Sequence, residues 1–257
     1  LFMGGQNPSV QSGTTEYDGE SFSSGGSLIS ARRYGAAAGT QNAGVYMAGD
    51  TLPSKVTCTE HYDGSSWSTG GAVTIAVNQT TGGGVQYAAY LLGGSPNNGE
   101  TQLYDGASWS IGFRNHVKPV LGGQSGNQTN LLYFGGYNPS TINCTQEFNC
   151  TTTGNCVGVW SAGGTVINQR DDMHFGSVGT QNATALFSGR TAPTNTTATE
   201  EYDGSSWSAG GATIIARYIG STTGTVNAGL FSGGNDAGSC ISCNEEYNGS
   251  SWSTGGA

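Results

Sequence analysis

Four arginines are the residues best suited to hold a ligand. Arg32, Arg114, Arg170 and Arg217 fall in the same part of an internal repeat, just before a turn that reads GTQNA in its clearest copy. A guanidinium offers a planar fork of donors that matches carboxylates two bonds at a time. Arginines gathered in one place would therefore suit an anion or a carboxylate sugar. The competing reading is structural. Glu16, Glu147, Glu201 and Glu246 recur with the same period, and a half-buried Arg is rarely left without a partner. Ion pairing between repeats is the reading adopted, with the anion site as its alternative.

Other reactive residues are few. Asp171, Asp172 and His174 form the one dense polar cluster, read as a solvated loop or channel feature rather than an acid–base site. His61, His116 and His174 occupy unrelated repeat positions. No GxSxG, HExxH, P-loop or dinucleotide fingerprint occurs. The expectation is no catalytic residue and no cofactor. Cys58, Cys144 and Cys243 each lie four residues before an aromatic anchor, which suggests small buried side chains on one strand. Cys150 and Cys156 flank an insertion and are expected to bridge its base. Cys240 and Cys243 are a weaker disulfide candidate, because so short a bridge in an extended segment is strained. A lone CxxC lacks the second ligand pair of a zinc site, so no metal is expected.

The elements that must position these residues are repeats. TEYDGESFSSGG from Thr15 returns as EHYDGSSWSTGG from Glu60, QLYDGASWSIG from Gln102, EEYDGSSWSAGG from Glu200 and EEYNGSSWSTGG from Glu245. A degenerate copy runs from Gln146. The anchors Tyr17, Tyr62, Tyr104, Phe148, Tyr202 and Tyr247 stand 45, 42, 44, 54 and 45 residues apart. A second block is an apolar strand ending in Gly, as in VYMAGD at Val45 and LYFGGY at Leu132. A third precedes it, as in SARRYGAAAGTQNAG at Ser30. One period thus holds four strand-sized pieces, which is one propeller blade. Asp63-Gly64 and its counterparts reverse the chain. Trp67, Trp109, Trp160, Trp207 and Trp252 then begin the next strand, with Phe22 in the first copy, and suit packing between sheets. The third strand of each blade is expected to begin near its anchor.

An apolar strand ending in Gly-Gly, then Tyr-Asp, then Trp, resembles the kelch repeat over essentially the whole chain. The resemblance implies an all-β fold: a six-bladed kelch-like β-propeller of four-stranded antiparallel blades in a single domain, 1–257. It also implies that the Arg-bearing segment is the innermost strand, so that the four arginines could ring a central channel. The pattern breaks at Phe148 with its insertion and at Gly189-Arg190. Leu1 opens in a second strand, so one blade is expected to lack its inner strand unless later residues or a neighbouring chain supply it. The narrower wording YDGSSWS is similar to kelch-like repeats in virion and fibre proteins of marine bacteriophages.

The 257 residues carry a net charge of −9, which disfavours nucleic acid. The longest apolar run, Tyr87 to Leu92, is too short to insert in a membrane. The function expected is a non-catalytic structural or attachment module of a virus particle or extracellular fibre. Its partners would be other virion or fibre subunits or host-surface glycans. The alternative is a secreted carbohydrate-binding propeller. Exposed aromatics outside the repeat positions, Tyr87, Tyr137 and Tyr218, would favour sugar binding if they line one face.

Overall fold

The computed structural model describes residues 1–6, 8–96, 99–115, 120–137, 139–150, 158–173, 177–191, 193–236 and 238–255. Among these, every regular element is a strand. Frequent Gly and Asp-Gly turns interrupt any helical period, while the short runs between them are rich in β-branched and aromatic residues. The chain forms two compact units, Leu1–Val120 and Leu121–Ala257.

Unit 1 holds three sheets. The first is β1 (Phe2–Met3), β2 (Thr14–Tyr17) and β3 (Phe22–Ser24). The second is β4 (Ala36–Thr40), β5 (Ala43–Met47), β6 (Thr59–Tyr62) and β7 (Trp67–Thr69). The third is β8 (Thr81–Val85), β9 (Ala88–Leu92), β10 (Thr101–Tyr104) and β11 (Trp109–Ile111). Unit 2 repeats the plan. Its fourth sheet is β12 (Gly123–Gly126), β13 (Asn130–Phe134), β14 (Thr145–Cys150) and β15 (Gly158–Gly163). The fifth begins with β16 (Ser177–Thr180) and β17 (Ala183–Phe187). A separate hairpin follows, β18 (Arg190–Thr191) with β19 (Thr194–Asn195). The fifth sheet then closes with β20 (Thr199–Tyr202) and β21 (Trp207–Ala209). The sixth runs β22 (Ser221–Thr225) and β23 (Ala228–Ser232), a hairpin of β24 (Asn235–Asp236) and β25 (Ser239–Cys240), then β26 (Asn244–Tyr247) and β27 (Trp252–Thr254). All pairings are antiparallel. This is an all-β propeller of six blades, five four-stranded and the first three-stranded.

The anchors end their strands rather than begin them: β6, β10, β20 and β26 all stop on the Tyr. The reason is the turn. Asp63 Oδ1 accepts the N–H groups of Ser65 and Ser66 at 2.8 Å each, and Gly64 takes φ +95°, which a side chain resists. The turn sets each Trp opposite its Tyr, as in Tyr62 with Trp67 and Tyr202 with Trp207.

Neighbouring sheets within each unit are tied by the same repeated residues. Trp67, Trp109, Trp207 and Trp252 donate from Nε1 to Thr14, Thr59, Thr145 and Thr199 of the preceding sheet, at 2.9–3.0 Å. Trp160 differs, with Nε1 buried and unpartnered. The second Gly after each Trp lies against the next turn. A Cβ on Gly71 would stand 2.1 Å from the Ala107 carbonyl oxygen, and one on Gly211 2.2 Å from that of Ser250. The second strands supply most of the core, including Val45–Met47, Leu91 with Leu92, Leu131–Phe134 and Ala185–Phe187.

Candidate functional site

Arg32, Arg170 and Arg217 are fully buried, and their guanidinium groups are already occupied. Each pairs with a carboxylate on the third strand of the sheet it leads into: Arg32 with Glu60, Arg170 with Glu200, Arg217 with Glu245. Backbone carbonyls take further N–H groups. Arg170 Nη1 donates to Ser188 and Ala198 at 2.8 Å, and Arg217 Nη1 to Gly233 and Cys243 at 3.0 Å. The carboxylates also accept main-chain N–H groups, Ile29 to Glu60, Ile167 to Glu200 and Ile214 to Glu245, at 2.6–2.7 Å. Burial lowers the Arg170 pKa, and the Glu200 charge opposes that shift. Buried pairs with their hydrogen bonds filled fix geometry rather than await a ligand. The anion site at these residues is therefore corrected.

The ion-pair reading holds in kind but not in partner. The acceptors stand two residues before the anchor, not one. Glu16, Glu147 and Glu201, one residue before, instead accept the hydroxyls of Tyr62, Tyr202 and Tyr247 from the following sheet. Burial first, and then the bond to Glu201, pushes Tyr247 up to about 12. His61 fills the same position in unit 1, where the Tyr104 hydroxyl meets its Nε2 at 2.9 Å. It belongs to the repeat after all. His116 and His174 lie outside the described residues.

Arg114 is not one of the set. It stands one residue before Asn115, which itself occupies the Leu28 position; its side chain is 62% exposed, and it pairs with Glu100. The sequence signal that separates it is internal covariation. In the third sheet Val77 replaces the buried Arg and Gln102 replaces the Glu. The Gln102 amide bonds both the N–H and the carbonyl of Ile75, at 2.8 and 3.0 Å. Charge is absent from both positions together.

The repeat thus consumes its recurrent residues. The residue after the Gly that closes each second strand is free to vary: Gln6, Asp50, Ser95, Tyr137, Arg190 and Asn235. In unit 1 these make one polar arc. Arg33 pairs with Asp50 at 3.0 Å and donates to Gln6. Asn78 donates to Asp50 at 2.6 Å, and Lys55 to Ser95 at 3.3 Å. In unit 2 the arc carries more charge. Arg190 reaches Asp172 at 3.0 Å and Asp171 at 3.7 Å. Its guanidinium lies 5.2 Å from the Tyr218 ring centre. Thr141 hydrogen-bonds Asp171, and Asn195 donates to Asp236 at 3.0 Å. Burial raises the pKa of both Asp171 and Asp172, against the pull of Arg190. They are buried and paired, not a solvated loop.

Tyr137 is 42% exposed and shares this loop position, and half-buried Tyr218 belongs to the same arc. Tyr87, 61% exposed, sits on the β8–β9 turn at the other strand end, so the three aromatics do not line one face. Cys240 and Cys243 are free thiols, which corrects the CxxC bridge. Cys240 is exposed on the β24–β25 hairpin, paired with Asn235, while Cys243 Sγ lies 3.6 Å from Arg217 Nη1. Cys58, Cys144 and Cys243 are half-buried rather than buried. The Cys150–Cys156 bridge lies outside the described residues. No group of three metal-ligating side chains occurs among the described residues.

The chain is similar to the solved structure of YjhT, with a TM-score of 0.76 over 98% of each chain at 12% identity. That likeness bears on the fold alone, a six-bladed β-propeller. No protein-family model matches the sequence, and no curated protein is significantly similar to it.

Proposed function

We propose that the protein is a non-catalytic attachment module, a kelch-like propeller of a bacteriophage virion or extracellular fibre, that binds neutral glycans of a host surface through the unit 2 loops. One observation carries the reading. The recurrent residues are spent on sheet-to-sheet contacts, while the residues after the second strands vary and gather polar and aromatic groups at Tyr137, Asp171, Arg190 and Tyr218. Sugar recognition uses such groups, an aromatic face with nearby donors and acceptors. One guanidinium faces two carboxylates there, and the chain carries −9 overall. An acidic sugar would meet repulsion, so neutral hydroxyl-bearing sugars fit better.

The test is a glycan array probed with the labelled protein and with Tyr218→Ala. The reading expects a set of neutral glycans retained by the first and lost by the second, with equal melting temperatures. Retention confined to sialylated or sulfated glycans would overturn it.

A further inference from the structure

Five times in this chain, a linker leaving one sheet lays an apolar or small polar side chain into a groove beside that sheet's third strand. The backbone N–H of Leu28, Val73, Asn115, Val166 and Thr213 bonds the carbonyl of Ser12, Thr57, Gly99, Asn143 and Thr197, at 2.8–3.0 Å. All five inserted side chains are buried. Each acceptor carbonyl lies five residues before its anchor aromatic. The register holds even across the fourth-sheet insertion, so the groove is a property of the blade and not of any one linker.

The sixth copy of the groove is open. Five residues before Tyr247 is Ser242, and among the described residues no backbone N–H reaches its carbonyl. A cavity of about 230 Å³ stands there, lined by Ile214, Ile215, Ser242, Cys243, Asn244 and Gly255. That falls below the roughly 300–1,000 Å³ of pockets for drug-sized ligands. It suits one aliphatic side chain and a stretch of backbone.

We propose that this groove is a docking site for an extended peptide segment with the repeat's own linker sequence, Gly-Gly followed two residues on by Val or Leu. The occupied grooves specify the ligand: a backbone donor for the Ser242 carbonyl, small residues leading in, and a branched aliphatic side chain against Ile214 and Ile215. Such recognition is main-chain hydrogen bonding plus one specificity pocket. The proposal is independent of the glycan reading, which concerns the loops after the second strands.

Cys243 lines the groove and reports on it. In the full chain with Cys240→Ser, the rate of Cys243 alkylation by iodoacetamide is measured with and without a ten-residue peptide copying residues 69–78. The expected result is slowing of about tenfold at a peptide concentration about ten times the dissociation constant. The same peptide with Val73→Asp should leave the rate unchanged. Equal slowing by both peptides, or no slowing at millimolar peptide, overturns the proposal. So does protection that rises with protein concentration alone and tracks dimer formation in the ultracentrifuge, since a second copy would then own the groove.

Discussion

Arg33 faces Asp50 in the second sheet, and Asp171 faces Arg190 in the fifth. The two bridges occupy the same repeat position with the charges exchanged. The backbone fixes where the two side chains meet, and either polarity satisfies it. The surroundings differ more than the pair does. Asp50 is saturated, by Arg33 and by Asn78. Arg190 must serve two carboxylates and lies against Tyr218. The first arrangement is closed on itself. The second keeps a partly exposed guanidinium and an aromatic neighbour, which is what a ligand could use. The buried Arg–Glu pairs beneath show no such latitude among themselves, apart from the third sheet, where both charges are gone.

That contrast can be broken most forcefully at the buried layer. Arg170→Met strands Glu200 in the interior and should cost about 3–5 kcal/mol. Arg170→Val with Glu200→Gln copies Val77 and Gln102, and should recover all but about 2 kcal/mol of the wild-type stability. Denaturant unfolding of the single and double variants decides it; a double variant no better than the single would show that the third-sheet solution does not transfer. Trp207→Ala removes a buried ring and its bond to Thr145, and should also cost about 3–5 kcal/mol. An unchanged melting temperature would mean that the indole is not part of the packing between sheets.

The two polar arcs should respond less, and unequally. Asp50→Ala leaves Arg33 and Asn78 without their acceptor, at a cost of about 1–3 kcal/mol. Arg190→Ala should cost about 0–1 kcal/mol, since its side chain is 36% exposed and such pairs contribute little. The reverse order in thermal melts would remove the distinction drawn between the arcs.

The smallest effects are in pH. Backbone N–H bonds hold Asp63 and Asp203 at about 2, below the ordinary 3.8. A depressed carboxyl contributes stability that is complete above the unfolded value and is lost as pH falls through the folded one. Asp171 and Asp172 are raised, so their contribution runs the other way and weakens as pH climbs past about 4. Asp203→Asn copies the Asn248 turn. It should flatten the loss of melting temperature between pH 4 and 2 without changing it at pH 7. A slope equal to wild type would assign the acid limb to other carboxyls.

Much of the frame was legible because its residues recur. Six anchors, five tryptophans and the Asp-Gly turns each mark a fixed place in a blade, and the strands fall beside them. The missing first strand of the first sheet followed from Leu1 opening in a second-strand pattern. Partnership was harder to read. Glu200 and Glu201 are neighbours in sequence, but alternation along a strand sends them to opposite faces, one to Arg170 and the other to Tyr247. Period alone cannot choose between them. Arg114 misled because an Arg in roughly the right place need not be in register. The Asp171–Arg190 contact joins segments that look unrelated until the bridge between them is drawn. The loop positions carry little sequence signal for the same reason that they suit function: no blade requires a particular residue there.

One experiment confronts the central claim directly, that the frame holds the fold while the loop arc binds. Tyr218→Ala and Tyr62→Phe are compared with the wild type by thermal melting and by binding to the glycans that the wild type retains. The account predicts that Tyr218→Ala abolishes binding at an unchanged melting temperature. It predicts that Tyr62→Phe, which loses the bond to Glu16, melts lower yet binds with wild-type affinity below its transition. Binding lost in Tyr62→Phe and kept in Tyr218→Ala would contradict it.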